Sequence, residues 1–426
     1  MITTTVVWRR TMLAATVIII FAGLSAQQLT ASVVAVGTCV ANVVQFTSIQ
    51  GAVNSVPAGS TIKICPANYG EQVVVNKNLT LVGVNSGTAD NPVLVIPPGG
   101  FYANTASLTS GHPIAAQILV QSPATVVNIS TLTVDGSNSN LNGGCDDTRL
   151  IGIYYQNASG TVNFAAVRNQ AQNATNFGCQ TSAGLGIYVQ SASPSTSTVK
   201  VQNSTVRGYQ KNGITGNEVG TNVTIIGNSV VGAGPTTTAQ NGIQVGFGAT
   251  GKVQNNTVAD DDFNGDPSAG TGSGILIYDS GNMTISGNSV TNAQNGIPIV
   301  TDGALPADTN VVTNNRVSDT HLGDGIDLCS NNNMVSGNIV FSSGQAGIHL
   351  DSSCGSTGNN NTVSKNTVNE ACAGILLGSG SGNTFPIANI VANVANTTLA
   401  GDVCTPTVLI VGRVHTQGHS SRPARP

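Results

Sequence analysis

A Gly-Ile pair recurs along this chain at Gly152, Gly186, Gly213, Gly242, Gly274, Gly296, Gly325, Gly347 and Gly374, returning every 22 to 34 residues. A second mark alternates with it, an Asn before a β-branched or apolar step, at Asn203, Asn228, Asn256, Asn288, Asn315, Asn338 and Asn366. Self-similarity at such a period marks a repeat architecture, in which each unit buries its apolar face only against its neighbours. Between the marks lie short β-forming runs such as Val223-Thr224-Ile225-Ile226, too short and too broken by Gly for helices. The fold class expected is all-β: a parallel β-helix, right-handed as parallel crossovers are. Its Ile and Val should stack inward and its turns should absorb the uneven gaps. The repeated Asn should form an internal ladder, because Asn tolerates a tight bend and its amide can bond its copy in the next coil.

Composition agrees with a solenoid that presents neutral polar groups. Only 8% of residues are charged and 4% aromatic, yet 40% are hydrophobic, too many for a disordered chain. Net charge is −4, and the 15 Lys and Arg are scattered, which argues against a nucleic-acid partner. Arg9 and Arg10 precede an apolar run from Leu13 to Leu24, which reads as an export signal over residues 1–26. After its removal no membrane span is expected, and the protein is expected to be a secreted monomer. Residues 27–60 read as an N-terminal cap, 61–385 as the β-helix, 386–412 as C-terminal strands and 413–426 as a tail. The cap should hold a short helix within Phe46 to Val56, with Ile49, Ala52, Val53 and Val56 on one face. The first strand should be Thr61 to Cys65.

Eight cysteines follow the leader, as suits an oxidising compartment. Cys39 and Cys65 flank the cap helix and are expected to pair. Cys145 and Cys179 each lie seven residues before a Gly-Ile pair, so they should stack and be bridgeable. Cys329 and Cys354 form a looser pair on adjacent coils, and Cys372 and Cys404 remain by elimination.

These coils, with the segment Ser48 to Gly83 (SIQGAVNSVPAGSTIKICPANYGEQVVVNKNLTLVG), resemble the parallel β-helix repeats of the pectin-lyase-like superfamily. The resemblance covers roughly residues 45 to 385. It implies a scaffold shared by pectate lyases, polygalacturonases, pectin methylesterases and alginate epimerases, as well as by members with no assigned activity. THLGDGIDL resembles the Asn-Thr-Asp-Gly-Ile-Asp stretch of polygalacturonases, with Asp324 in the place of the first catalytic Asp. Their Asp-Asp, Gly-His-Gly and Arg-Ile-Lys motifs are absent, as is the Asp-Pro-His of alginate epimerases.

The position after each Gly-Ile pair forms an outward column that reads Tyr154, Tyr188, Thr215, Gln244, Leu276, Pro298, Asp327, His349 and Leu376. Asp327 and His349 should therefore lie about 5 Å apart, flanked by Asp324 and Asp351. Carboxylates beside one His suit acid–base cleavage of a glycosidic bond. Tyr154 and Tyr188, with Tyr155, Asp146 and Asp147 nearby, read as a sugar-stacking platform. Asp260, Asp262, Asn264 and Asp266 match the first half of a calcium loop, although Thr271 replaces its closing Glu. No cofactor is required; calcium is the one candidate. Two readings stand: a lyase or hydrolase acting on an extracellular polysaccharide, and a non-catalytic surface or matrix protein that binds glycans or acts as a spacer.

Overall fold

The alternation of Gly-Ile and Asn marks becomes three stacks of short parallel strands in the computed structural model, which describes residues 30–85, 92–141, 147–172, 184–265, 270–394 and the backbone of 396–400. One coil shows the plan. The strand Thr221–Ile226 turns through Gly227 and Asn228 into the short strand Ser229–Val231, and a longer turn leads to the Gly-Ile strand Asn241–Gly246. Each pairs in parallel with its copies in the coils before and after. Among the described strands, the one antiparallel pairing joins Thr105–Ala106 to Pro113–Gln121.

The repeats set the register as expected. Ile153 pairs with Ile187, Ile187 with Ile214, Ile214 with Ile243, Ile297 with Ile326 and Ile326 with Ile348. All are buried in one continuous core. The Gly is required by close approach. At Gly325 a Cβ would overlap the Val340 side chain and the Gly347 carbonyl, so only Gly lets the turn pass beneath the next coil.

The Asn ladder forms from Asn228. Asn228 Nδ2 donates to Asn256 Oδ1 at 2.9 Å, and the pattern continues through Asn288, Asn315, Asn338, Asn366 and Asn389 at 2.9–3.0 Å. Each buried amide thus satisfies a turn that would otherwise strand its polar groups, worth a net ~0.5–1.5 kcal/mol per bond. Asn203 is not a member. The residue in register with Asn228 is Ser204, while Asn203 adopts φ 50° and bonds Asn163. The spelling of VQNSTV places Asn one step early. A second ladder, Asn310, Asn333, Asn361 and Asn383, was not foreseen.

At the N-terminal end the helix is Ile49–Ser55, with Ile49, Ala52 and Val53 buried. Ser48 caps it by accepting from the Gly51 amide, and the Glu71 carboxylate accepts the Ile49 and Gln50 amides at 2.7 and 2.9 Å. Two strands not expected, Val33–Val36 and Val44–Phe46, precede it and continue the first sheet beyond Ser60–Ile64. A disulfide joins Cys39 to Cys65, and another joins Cys329 to Cys354. Cys372 is also disulfide-bonded. Cys145, Cys179 and Cys404 lie outside the described residues, as does the candidate leader. Among the described residues no helix is long and apolar enough to cross a membrane.

Candidate functional site

The Gly-Ile strands bring the expected column together residue by residue. Tyr154 pairs with Tyr188, Tyr188 with Thr215, Thr215 with Gln244, Gln244 with Leu276, Pro298 with Asp327, Asp327 with His349 and His349 with Leu376. The column is not a free surface, however: its side chains from Tyr154 to Gln244 are buried, and so are Asp327 and His349.

Around His349 the polar groups converge. Asp324 immediately precedes Gly325, the position that Asn212, Asn241 and Asn295 hold in other coils. Its Oδ1 accepts the Ala346 amide at 2.7 Å, and its Oδ2 lies 3.0 Å from Nδ1 of His349. Asp327 Oδ1 lies 4.0 Å from the same nitrogen. Asp351 follows the strand that carries His349, and its Oδ1 accepts both the amide and the hydroxyl of Ser353 at 2.8 and 2.7 Å. His349 Nε2 and Asp327 Oδ1 are buried without a partner.

The electrostatics follow from burial and crowding. Burial opposes a charge on His349, but the negative charge and hydrogen bond of Asp324, with Asp327 and Asp351, outweigh it and hold its pKa up at about 10. Burial, then the negative charge of Asp351, pushes the Asp327 carboxyl well above its ordinary value, against the pull of His349. The arrangement thus favours a proton on both the His349 ring and the Asp327 carboxyl. Donor atoms of Asp324, Asp327 and His349 lie within 4.8 Å of one another, close enough to share a cation.

The tyrosine platform is corrected by the fold. Tyr154 and Tyr188 do stack, with centroids 4.9 Å apart and planes 14° off parallel. Both are buried in an apolar cluster with Leu119, Ile151 and Leu185. A segment before Pro113–Gln121 folds over this face: Gln156 bonds Thr105 and Ala106, and Gln190 accepts the Leu108 amide. Tyr155 points the other way, into the core, where its hydroxyl donates to Val127 O at 2.8 Å. Asp147 is partly buried, and Asp146 lies outside the described residues.

The acidic loop is also not one cluster. Asp260 accepts from Asn292, Asp262 faces His321 at 3.0 Å, and Asn264 is exposed. Asp261, between them, turns inward to the Tyr209 hydroxyl at 2.5 Å. The strand Thr257–Asp261 runs into the loop, so its pleat sends successive carboxylates to different partners. Asp266 lies outside the described residues.

Sequence reasoning missed the fastenings of the site: Asn295, whose Oδ1 accepts the Asp324 amide, and Ser353, which fixes Asp351. The residue before each Gly-Ile pair was the available signal. Thr215, named only as a member of the column, and Asn241, which was not singled out, each hold a buried polar atom without a hydrogen bond among the described residues.

The protein is a right-handed parallel β-helix with the fold of the pectin-lyase-like proteins. The right-handed β-helix region family matches residues 236–390. Among solved structures the chain is similar to the A-module of mannuronan C-5 epimerase AlgE4 from Azotobacter vinelandii, with a TM-score of 0.56 and 14% identity, covering 82% of this chain and 92% of that one. It is also similar to the GH136 lacto-N-biosidase from Eubacterium ramulus, with a TM-score of 0.57 and 11% identity, covering 85% of this chain and 67% of that one. No curated protein matches it in sequence.

Proposed function

We propose that this protein is a secreted carbohydrate-active enzyme that cleaves glycosidic bonds in a neutral glycan by acid–base chemistry. One observation carries the reading: on adjacent coils, Asp324 and Asp327 lie 3.0 and 4.0 Å from one buried imidazole nitrogen, and burial pushes the Asp327 carboxyl well above its ordinary value. A carboxyl whose pKa is raised toward the working pH is what a general acid needs. Asp327 donates the proton to the glycosidic oxygen, and Asp351 is the partner carboxylate. Asp324 holds the imidazole of His349 in place beside them through its 3.0 Å contact with Nδ1. The row leading away from the centre offers Thr215, Asn217, Asn241 and Gln244, hydroxyls and amides suited to neutral sugars. Two disulfides fit an oxidising compartment. The two neighbours, a mannuronan epimerase and a lacto-N-biosidase by their names, support carbohydrate chemistry on this scaffold.

Asp324 and His349 are closed to solvent and the Asp327 side chain is only 11% exposed, so the reading requires an opening movement on substrate entry. That same closure favours a second reading, in which the charge network is a buried structural element of a non-catalytic glycan-binding or spacer protein. Reducing-sugar release on a panel of neutral and uronic polysaccharides, with absorbance near ~235 nm for unsaturated products, separates the two. Turnover that Asp327→Asn and His349→Ala both abolish, with circular dichroism unchanged, supports the enzyme. Turnover that survives both moves the reaction elsewhere on the chain, and no turnover on any substrate leaves the structural reading.

A further inference from the structure

Asp324, Asp327 and His349 bring donor atoms of two kinds to one buried point. Asp327 and His349 are register partners on the adjacent strands Ile326–Cys329 and Ile339–Leu350, and Asp324 stands two residues before the first of these. Nδ1 of His349 lies 3.0 Å from Oδ2 of Asp324 and 4.0 Å from Oδ1 of Asp327. Tetrahedral zinc, with bonds of about 2.0–2.1 Å, holds its ligand atoms roughly 3.3 Å apart, between the two distances found here. A second sign is Asp327 Oδ1 itself, which is buried and makes no hydrogen bond among the described residues. A buried acceptor left in that way calls for a water or an ion. The mounting is firm. Asp324 Oδ1 accepts the Ala346 amide at 2.7 Å, and Asn295 Oδ1 accepts the Asp324 amide at 3.2 Å, so Oδ2 is the oxygen turned toward the ring. Outer contacts of this kind orient the ligands of a metal.

The donor set selects the ion. One imidazole nitrogen with carboxylate oxygens suits zinc and its first-row neighbours. Calcium wants roughly six to eight oxygens, and the register neighbours of this centre, Pro298 below and Leu376 above, supply no side-chain oxygen. Charge also balances, because two carboxylates neutralise one dication and no uncompensated charge is left buried. We propose that Asp324, Asp327 and His349 form a site for one divalent transition cation of the zinc class, bound through Asp324 Oδ2, Asp327 Oδ1 and His349 Nδ1. Binding releases the Nδ1 proton and any proton on Asp327 to solvent, and the ring keeps its hydrogen on Nε2. Asp327 then has no proton to give, so the bound cation switches the acid off. That consequence rests on the acid–base reading above; the site does not.

Metal content decides the site. The full chain carries His415→Gln and His419→Gln, so that this other pair of histidines in the sequence contributes nothing. It is offered zinc, cobalt(II) or calcium, both folded and during refolding from urea, and is then desalted. The expected result is one zinc or cobalt per chain and no calcium, with the intense visible bands of tetrahedral cobalt. X-ray absorption of the zinc form should show one imidazole with carboxylate oxygens, and zinc should raise the melting temperature. Asp324→Asn should lose the ion. Asp262→Asn, at the other histidine–carboxylate contact among the described residues, should keep it. Where Asp324→Asn does not fold, the absorption shell of the zinc-loaded chain decides. No retained zinc, a shell without one imidazole, or an ion kept by folded Asp324→Asn or lost from Asp262→Asn overturns the site. Turnover tests the consequence separately. On a glycan that the metal-free chain cleaves, zinc loading should abolish cleavage and EDTA should restore it. Cleavage unchanged by a retained ion overturns the switch. Cleavage of no glycan at all removes the acid–base reading and the switch together, while metal content still decides the site.

Discussion

Oδ2 of Asp324 lies 3.0 Å from Nδ1 of His349, one coil above it, and neither side chain reaches solvent. The pair spans two coils, so each charge depends on the other for its stability. Removing one partner leaves an uncompensated buried charge. His349→Ala or Asp324→Ala should therefore cost about 3–5 kcal/mol, read as a lower urea midpoint. A midpoint that barely moves would mean the two groups are already neutral in the folded protein.

Stability should also fall on the alkaline side. The pKa of His349 rises from 6.5 to about 10 on folding, so its contribution is complete below pH 6.5 and is lost as pH climbs through about 10. The raised carboxyl of Asp327 acts in the same direction, since its folded form favours the proton. Melting temperature measured from pH 6 to 10 should decline in wild type, and the decline should flatten in His349→Gln.

The tyrosine pair separates packing from polar satisfaction. Tyr154 donates to Gln190 Oε1 at 2.7 Å, whereas the buried Tyr188 hydroxyl makes no hydrogen bond of that quality, with the Asn217 side chain beside it. Tyr154→Phe should cost roughly 0.5–1.5 kcal/mol, and Tyr188→Phe should be neutral or stabilising by up to about 1 kcal/mol. Equal losses in chemical denaturation would show that the Tyr188 hydroxyl is satisfied in solution.

The Asn ladder predicts a steep contrast between two asparagines. Asn288→Ala removes the acceptor of both the Asn256 amide and its side chain, and should cost roughly 2–6 kcal/mol at ~1–3 kcal/mol per orphaned group. Asn222, exposed and bonded only to Thr250, should change stability by no more than about 0.5 kcal/mol. Thermal denaturation of the two variants side by side checks this.

Chelation tests the acidic loop. Asp260 and Asp262 face Asn292 and His321 rather than each other. Added calcium or EDTA should leave the melting temperature where it was, and a rise with calcium that Asp262→Asn abolishes would restore the loop as a cation site.

What could be read from the chain was what repeats. The Gly-Ile spacing placed Asp327 beside His349, because parallel pairing turns equal offsets into neighbours. What the spacing could not show was what lies over a column. The segment that bonds Gln156 and Gln190 belongs to no repeat, so the tyrosines read as a surface although they are packed. Nor could periodicity separate Asn203 from Ser204, which differ by one residue and by the side of the turn they occupy. Asp324 stood out by its place beside the column and by resemblance. Its physical signal, an acid in a position otherwise held by Asn212, Asn241 and Asn295, becomes clear once those residues are seen in one line.

Turn length and strand register are independent in this scaffold. Gly152 and Gly186 are 34 residues apart and Gly325 and Gly347 only 22, yet each step along the axis is one strand spacing of ~4.8 Å. Loops can therefore be lengthened, shortened or exchanged on the outside while Asp324, Asp327 and His349 keep their mutual distances. A lineage carrying this coil could change what it admits to the centre, or shut it altogether, without redesigning the chemistry beneath.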